Sequence, residues 1–316
     1  MIAAVTVLCL VASGCMQSLQ KHATALSAAT APVVDLAAQS YKDANEIHDL
    51  RVDFDAAVEF DKTDPVYNPR KIKPLLSEKD MDVRLAVLKA LQCYVKQLVA
   101  ISNGTESKEL DDASASLGSS LASLGDTFLP AGTSSQTATI TTDGSSVTET
   151  TTVAADAISA DEQTGIKLAM KALGQFLTSR KIKQELPGLV GKMDPQIETL
   201  CRFLVKDAGV LKSQESIDFN FMINQETLFL RENKSMDAGA RRALIMKLPE
   251  MVRKQRAADE ELDQLKSAAA NLTLTHHALA ADVQGNNPES FKAKLSELAT
   301  VGENLGKSYS SLPASK

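Results

Sequence analysis

The chain has 316 residues, enough to bury a sizeable core as one large domain or two ordinary ones. Aromatic residues make up only 4% and tryptophan is absent, so the core must come mainly from Leu, Ala, Val, Ile and Met, a set that suits helix packing better than sheet or a deep aromatic pocket. A net charge of −6 with both signs mixed argues against nucleic acid as the main partner, because phosphate binding needs clustered Lys and Arg.

In chain order, residues 2–12 come first, an uncharged and mostly apolar run. It is too short to span a bilayer, which takes about 20 apolar residues as a helix. The small residues Ala12, Ser13 and Gly14 then lead into Cys15. This pattern resembles the lipobox of bacterial lipoproteins, and the resemblance covers residues 1–15 only. It implies that residues 1–14 are a signal peptide, removed on processing. It also implies that Cys15 is the lipidation site, carrying acyl chains such as palmitate as the new N-terminus. Met16 stands where an aspartate would signal retention in the inner membrane, so the resemblance implies the outer membrane if the organism has one.

Residues 19–58 carry a heptad of alternating four- and three-residue steps through Leu26, Val33, Ala37, Ala44, Ile47 and Phe54. It predicts one long helix seeking a close partner, with Pro32 as a kink or a start. Asp64-Pro65 and Asn68-Pro69 predict turns. A second helix is expected from the N-cap Ser77 to Ser102, with Val87, Leu91, Tyr94 and Leu98 on its buried face and Asn103-Gly104 ending it. A Ser- and Ala-rich third helix follows over residues 106–128.

Composition changes over residues 131–153, where 13 of 23 are Ser or Thr and none is Lys or Arg. The stretch reads as a loop or as a small hairpin turning at Asp143-Gly144. It divides the chain into a helical half at 15–130 and another at 154–316, which together are expected to form one bundle. In the second half, helix resumes at Asp161 with the stripe Ile166, Met170, Leu173 and Leu177, ending near Pro187-Gly188. Asp194-Pro195 reads as the start of the next helix, with Asp as N-cap and Pro at the first position, reaching Glu232. Another is expected from near Asp237 past Asp282, with a heptad-like stripe Leu262, Leu265, Ala269, Leu272, His276, Leu279 and Val283 and a possible bend at Pro249. A last helix follows over residues 289–308. The fold class is all-α: an elongated antiparallel bundle of about seven helices, several of them long and heptad-patterned.

No constellation for catalysis emerges. His22, His48, His276 and His277 form no HExxH or other metal-ligand spacing, and no Glu is followed three residues later by His. His276 falls on the apolar stripe as a core histidine, and His277 is expected to point elsewhere. Glu260 and Glu261 read as charges at the bundle edge, and the basic clusters at 180–183 and 253–256 as solvated helix faces. Cys93 and Cys201 read as two separate half-buried thiols, with a disulfide between them, which an oxidising envelope would permit, as the alternative. There is no GxGxxG, no Gly-rich Lys loop and no GxSxG, so no cofactor is implied. The expected function is therefore non-enzymatic. The chain reads as a lipid-anchored cell-envelope protein acting as scaffold, accessory subunit or inhibitor of a protein partner. A bundle binding a lipid or other apolar small molecule is the alternative, and a membrane-active protein is a more remote one.

Overall fold

The structure, a computed structural model, describes residues 2–62, 74–105, 108–127, 135–142, 145–152, 160–179, 186–283, 293, 294, 296–301 and 303. The side chains of residues 2–19, 58–62, 122–127, 160 and both strands lie outside that description. The elements are α1 (Ile2–Lys62), α2 (Glu78–Asn103), α3 (Lys108–Thr127), β1 (Ser135–Thr142), β2 (Ser145–Thr152), α4 (Ala160–Thr178), α5 (Leu186–Glu232) and α6 (Ala238–Asp282). A further helical stretch lies within residues 293–303. The fold is all-α, with the helices packed together as a bundle.

α1 runs 61 residues with Pro32 inside it, so that proline neither starts nor stops the helix. Its heptad buries as patterned at Ala23, Leu26, Val33, Ala37 and Ala44, and Tyr41 joins the same face. α2 has the ends its sequence calls for. The Ser77 side chain accepts from the Asp80 amide, and Gly104 closes the helix at φ 66°, a left-handed conformation that favours glycine. Among the described residues, α2 alone is long and apolar enough to cross a membrane, yet most of it is buried within the bundle.

The strands form an antiparallel pair with Thr142 opposite Ser145, the hairpin alternative of the Ser/Thr-rich stretch. Asp143 and Gly144 themselves lie outside the described residues. α4 begins as expected and buries Ile166, Met170, Leu173 and Leu177, but it ends at Thr178, well before Pro187.

Asp194-Pro195 is not a helix start. α5 begins at Leu186 and carries Pro195 inside it. The physical reason is that Pro187 already occupies the first turn, where a missing N–H costs nothing, and the Asp194 carboxylate has other partners (below). α6 starts where expected, with the Asp237 side chain accepting from the amides of Gly239 and Ala240.

The expected stripe of α6 is buried from Leu262 through Leu279, and Val283 packs against it. One apolar core runs from Ala23 to Leu298 and takes residues from helices on both sides of the hairpin. α5 and α6 form a long antiparallel pair, joined by a short turn. α1 runs against α6, as the pairs His22–Asp282 and Ser40–Glu261 show, and alongside α5 in the same direction, as His48–Asp218 and Arg51–Phe221 show. α3 and α4 approach closely at Gly118, where a Cβ would stand 2.6 Å from the Gly174 carbonyl oxygen.

Candidate functional site

Four polar constellations and one cleft stand out within this frame. The first crosses the bundle from α2 to α6 to α5. The Tyr94 hydroxyl lies 2.8 Å from His276 Nε2, and His276 Nδ1 lies 2.7 Å from Asp194 Oδ1. Asp194 Oδ2 meets His277 Nδ1 at 2.5 Å, and His277 Nε2 is 3.7 Å from Glu198. The Tyr94 ring also packs edge-on against Phe176, with centroids 4.8 Å apart. Burial raises the Asp194 carboxyl, but the hydrogen bonds with His276 and His277 outweigh it and hold the group below its ordinary value. Burial drives the Tyr94 hydroxyl well above its usual range.

His276 is buried in the stripe, as its heptad position predicts. His277 does not point away from it, because one forked carboxylate on the facing helix receives both neighbouring rings. The arrangement looks like a Tyr–His–Asp relay in connectivity, but its hydroxyl end is fully enclosed and its open end is only a histidine edge.

The second constellation is the pair Arg84–Asp207, which joins α2 to α5. Arg84 Nε and Nη2 donate to the two Asp207 oxygens at 2.7 and 2.5 Å, and both side chains are buried. The guanidinium also sits 5.7 Å from the Tyr41 ring centroid. Neither residue was singled out by sequence, since a lone arginine in an apolar stripe gives no signal of its partner 123 positions away.

The third is a set of buried carboxylates between α1, α5 and α6. Ser40 Oγ donates to Glu261 at 2.5 Å, and His48 Nδ1 lies 2.9 Å from Asp218, which also accepts from Gln214. Glu215 is buried beside them, and its Oε2 has no hydrogen-bond partner among the described residues. Burial, followed by the charges of Glu261, Asp259, Asp43 and Asp218, pushes its carboxyl up to about 9. Burial raises Glu261 as well, against the hydrogen bond from Ser40. Glu261 is therefore not an edge charge: the first α6 residues to be buried are Glu261 and Leu262, where α1 closes over that helix. Glu260 is exposed as expected. Among the described residues, no group of three or more His, Cys, Asp or Glu side chains is arranged to hold a metal ion.

The cysteines form the fourth set. Both are free. Cys93 is half-buried with its Sγ 3.0 Å from Ser114 Oγ, whereas Cys201 is completely buried, more so than its flank position suggests. Burial pushes the Cys201 thiol up to about 12, which keeps it in the unreactive form. Cys15 lies within α1, and its side chain is outside the described residues. The basic cluster at 180–183 also lies outside them. That at 253–256 is a solvated face, with Arg253 and Arg256 exposed and Lys254 3.8 Å from Glu250.

The cleft lies where the end of α1, the end of α5 and the start of α6 meet. It measures about 730 Å³ and is walled by Phe54, Leu228, Phe229, Met236 and Leu244. Gln225, Glu226, Glu232 and Asn233 bring polar atoms to it. Sequence reasoning missed this cleft because its walls come from three helices that no periodicity registers against one another. Comparison with protein-family models, with curated proteins and with solved structures found no match.

Proposed function

We propose that the chain is a non-enzymatic lipoprotein of the bacterial cell envelope, held by an acylated Cys15 and acting by contact as a scaffold or accessory subunit. The observation that carries this reading is the continuity of α1. The helix bearing the lipobox cysteine runs on unbroken to Lys62, and its residues Phe54 and Ala57 line the cleft at the α5–α6 end of the bundle. At 1.5 Å per residue, the span from Cys15 to Lys62 is about 70 Å, so the anchored helix would hold the far end of the bundle well clear of a membrane. The enclosed Tyr94 hydroxyl supports the non-enzymatic part, since a substrate would have to displace the core to reach it. Met16 after the anchor supports the outer membrane as the location, in an organism that has one.

The test is membrane fractionation together with mass spectrometry of the mature N-terminus, comparing wild type with Cys15→Ser. The expected result is an acylated Cys15 in the membrane fraction and a soluble or unprocessed variant. An unmodified N-terminus with equal solubility in both would overturn the anchor. Crosslinking in intact cells then identifies the protein in contact.

A second reading, binding of an apolar small molecule, is supported by the cleft at the end of α5. Its volume lies in the range of small-molecule sites, and its walls are mostly apolar.

A further inference from the structure

Glu226 sits on the wall of the cleft between α1, α5 and α6 and is 9% exposed. Its Oε1 is buried and has no hydrogen-bond partner among the described residues. An acceptor left unsatisfied in an apolar surround is costly, on the order of 1–3 kcal/mol, and buried polar groups in folded chains are ordinarily partnered. Lys247 acts on the Glu226 carboxyl through space, against the burial that raises it, yet leaves Oε1 unpartnered. Arg241 donates from Nη1 to the Leu230 and Asn233 carbonyls and so is committed to the end of α5. Glu232 adds a second carboxylate at the lip of the cleft. An apolar chamber with an orphan acceptor and an acidic rim calls for a ligand with an apolar body and a donating, positively charged head.

We infer that this cleft binds an apolar amine, its hydrocarbon or aromatic body against Phe54, Leu228, Phe229 and Leu244 and its ammonium group on Glu226. The inference rests on the small-molecule reading of the cleft and names the class of ligand. It places that ligand at the end of the bundle remote from Cys15. A charged acceptor strengthens each hydrogen bond to it, so the head group rather than the chain sets the preference among ligands of equal length.

The experiment is isothermal titration calorimetry on the full-length Cys15→Ser protein, which carries no acyl chain to compete, with dodecylamine, dodecanol and dodecanoate below their aggregation thresholds. Dodecylamine is expected to bind about tenfold or more tightly than dodecanol, and dodecanoate to bind most weakly. Glu226→Gln is expected to bring the amine down to the level of the alcohol while leaving the alcohol unchanged. Ala243→Trp, which fills the cleft from α6, is expected to abolish binding of both, with an unchanged far-UV circular dichroism spectrum as the control for folding. Equal binding of all three by the unsubstituted cleft would overturn the amine assignment and leave an apolar site. Preference for dodecanoate would overturn the assignment as well, and binding of none of them would overturn the small-molecule reading together with it. The ranking on the unsubstituted cleft decides the matter even where a variant fails to fold.

Discussion

At the residue scale, the stability of the bundle hangs on buried charges that are paired and on others that are held neutral. Arg84 and Asp207 share two hydrogen bonds, and both side chains are buried. Removing one partner leaves an uncompensated buried ion, which costs about 3–5 kcal/mol, whereas replacing both with apolar groups of similar size is often neutral. Asp207→Asn is therefore expected to lower the urea midpoint markedly, and Arg84→Met combined with Asp207→Leu to recover most of the loss. A single variant as stable as wild type would mean that the pair contributes little.

Glu215 acts in the opposite sense. Its carboxyl in the fold sits at about 9, above the ordinary value of 4.5, so the folded chain holds a proton that the unfolded chain releases. Stability from this group is full below the unfolded value and declines as pH rises from about 5 to about 9. Glu215→Gln is expected to flatten that part of the profile of thermal midpoint against pH. Asp194 is shifted downward instead, so its contribution is present above the ordinary carboxylate range and is lost only in acid.

At the scale of elements, the patterns that were legible are those that one helix carries alone. The Ser77 cap, the left-handed Gly104 and the stripes of α2, α4 and α6 all depend on residues within one or two turns of each other. Asp194-Pro195 misled because a cap signature describes a local preference, and here two histidines on the facing helix compete for the same carboxylate. Gly118 shows a requirement that no local pattern expresses. A methyl group there would press on the Gly174 backbone at 2.6 Å, and a backbone cannot swing aside as a side chain would. Gly118→Ala is expected to cost about 1–3 kcal/mol in a denaturation series, by forcing α3 and α4 apart. A neutral or stabilising result would show that the two helices separate freely.

At the scale of the whole molecule, α1 and α5 set the dimensions. Their 61 and 47 residues correspond to about 90 and 70 Å of helix, in a bundle only a few helices across. Small-angle scattering from the full chain should return a strongly elongated particle with a longest dimension of that order. A compact, near-spherical profile would require the long helices to be broken in solution. α6 packs most extensively on α5, and Ile245 and Met246 stay exposed before Glu261.

By itself, the sequence determined the all-α class, the long helices, the Ser77 cap and the place of the Ser/Thr-rich hairpin, because helix period, capping and turn chemistry are short-range. It also carried the lipobox-like run ending at Cys15, a pattern of contiguous residues. Only the tertiary structure decided that Glu261 is buried against Ser40, that Asp194 serves two histidines, that Arg84 finds Asp207, and that three helix ends enclose a cleft around Glu226. Each of these depends on the axial register and rotation of helices far apart in the chain. A heptad fixes which face of a helix is apolar, but leaves open which neighbour covers that face and at what height.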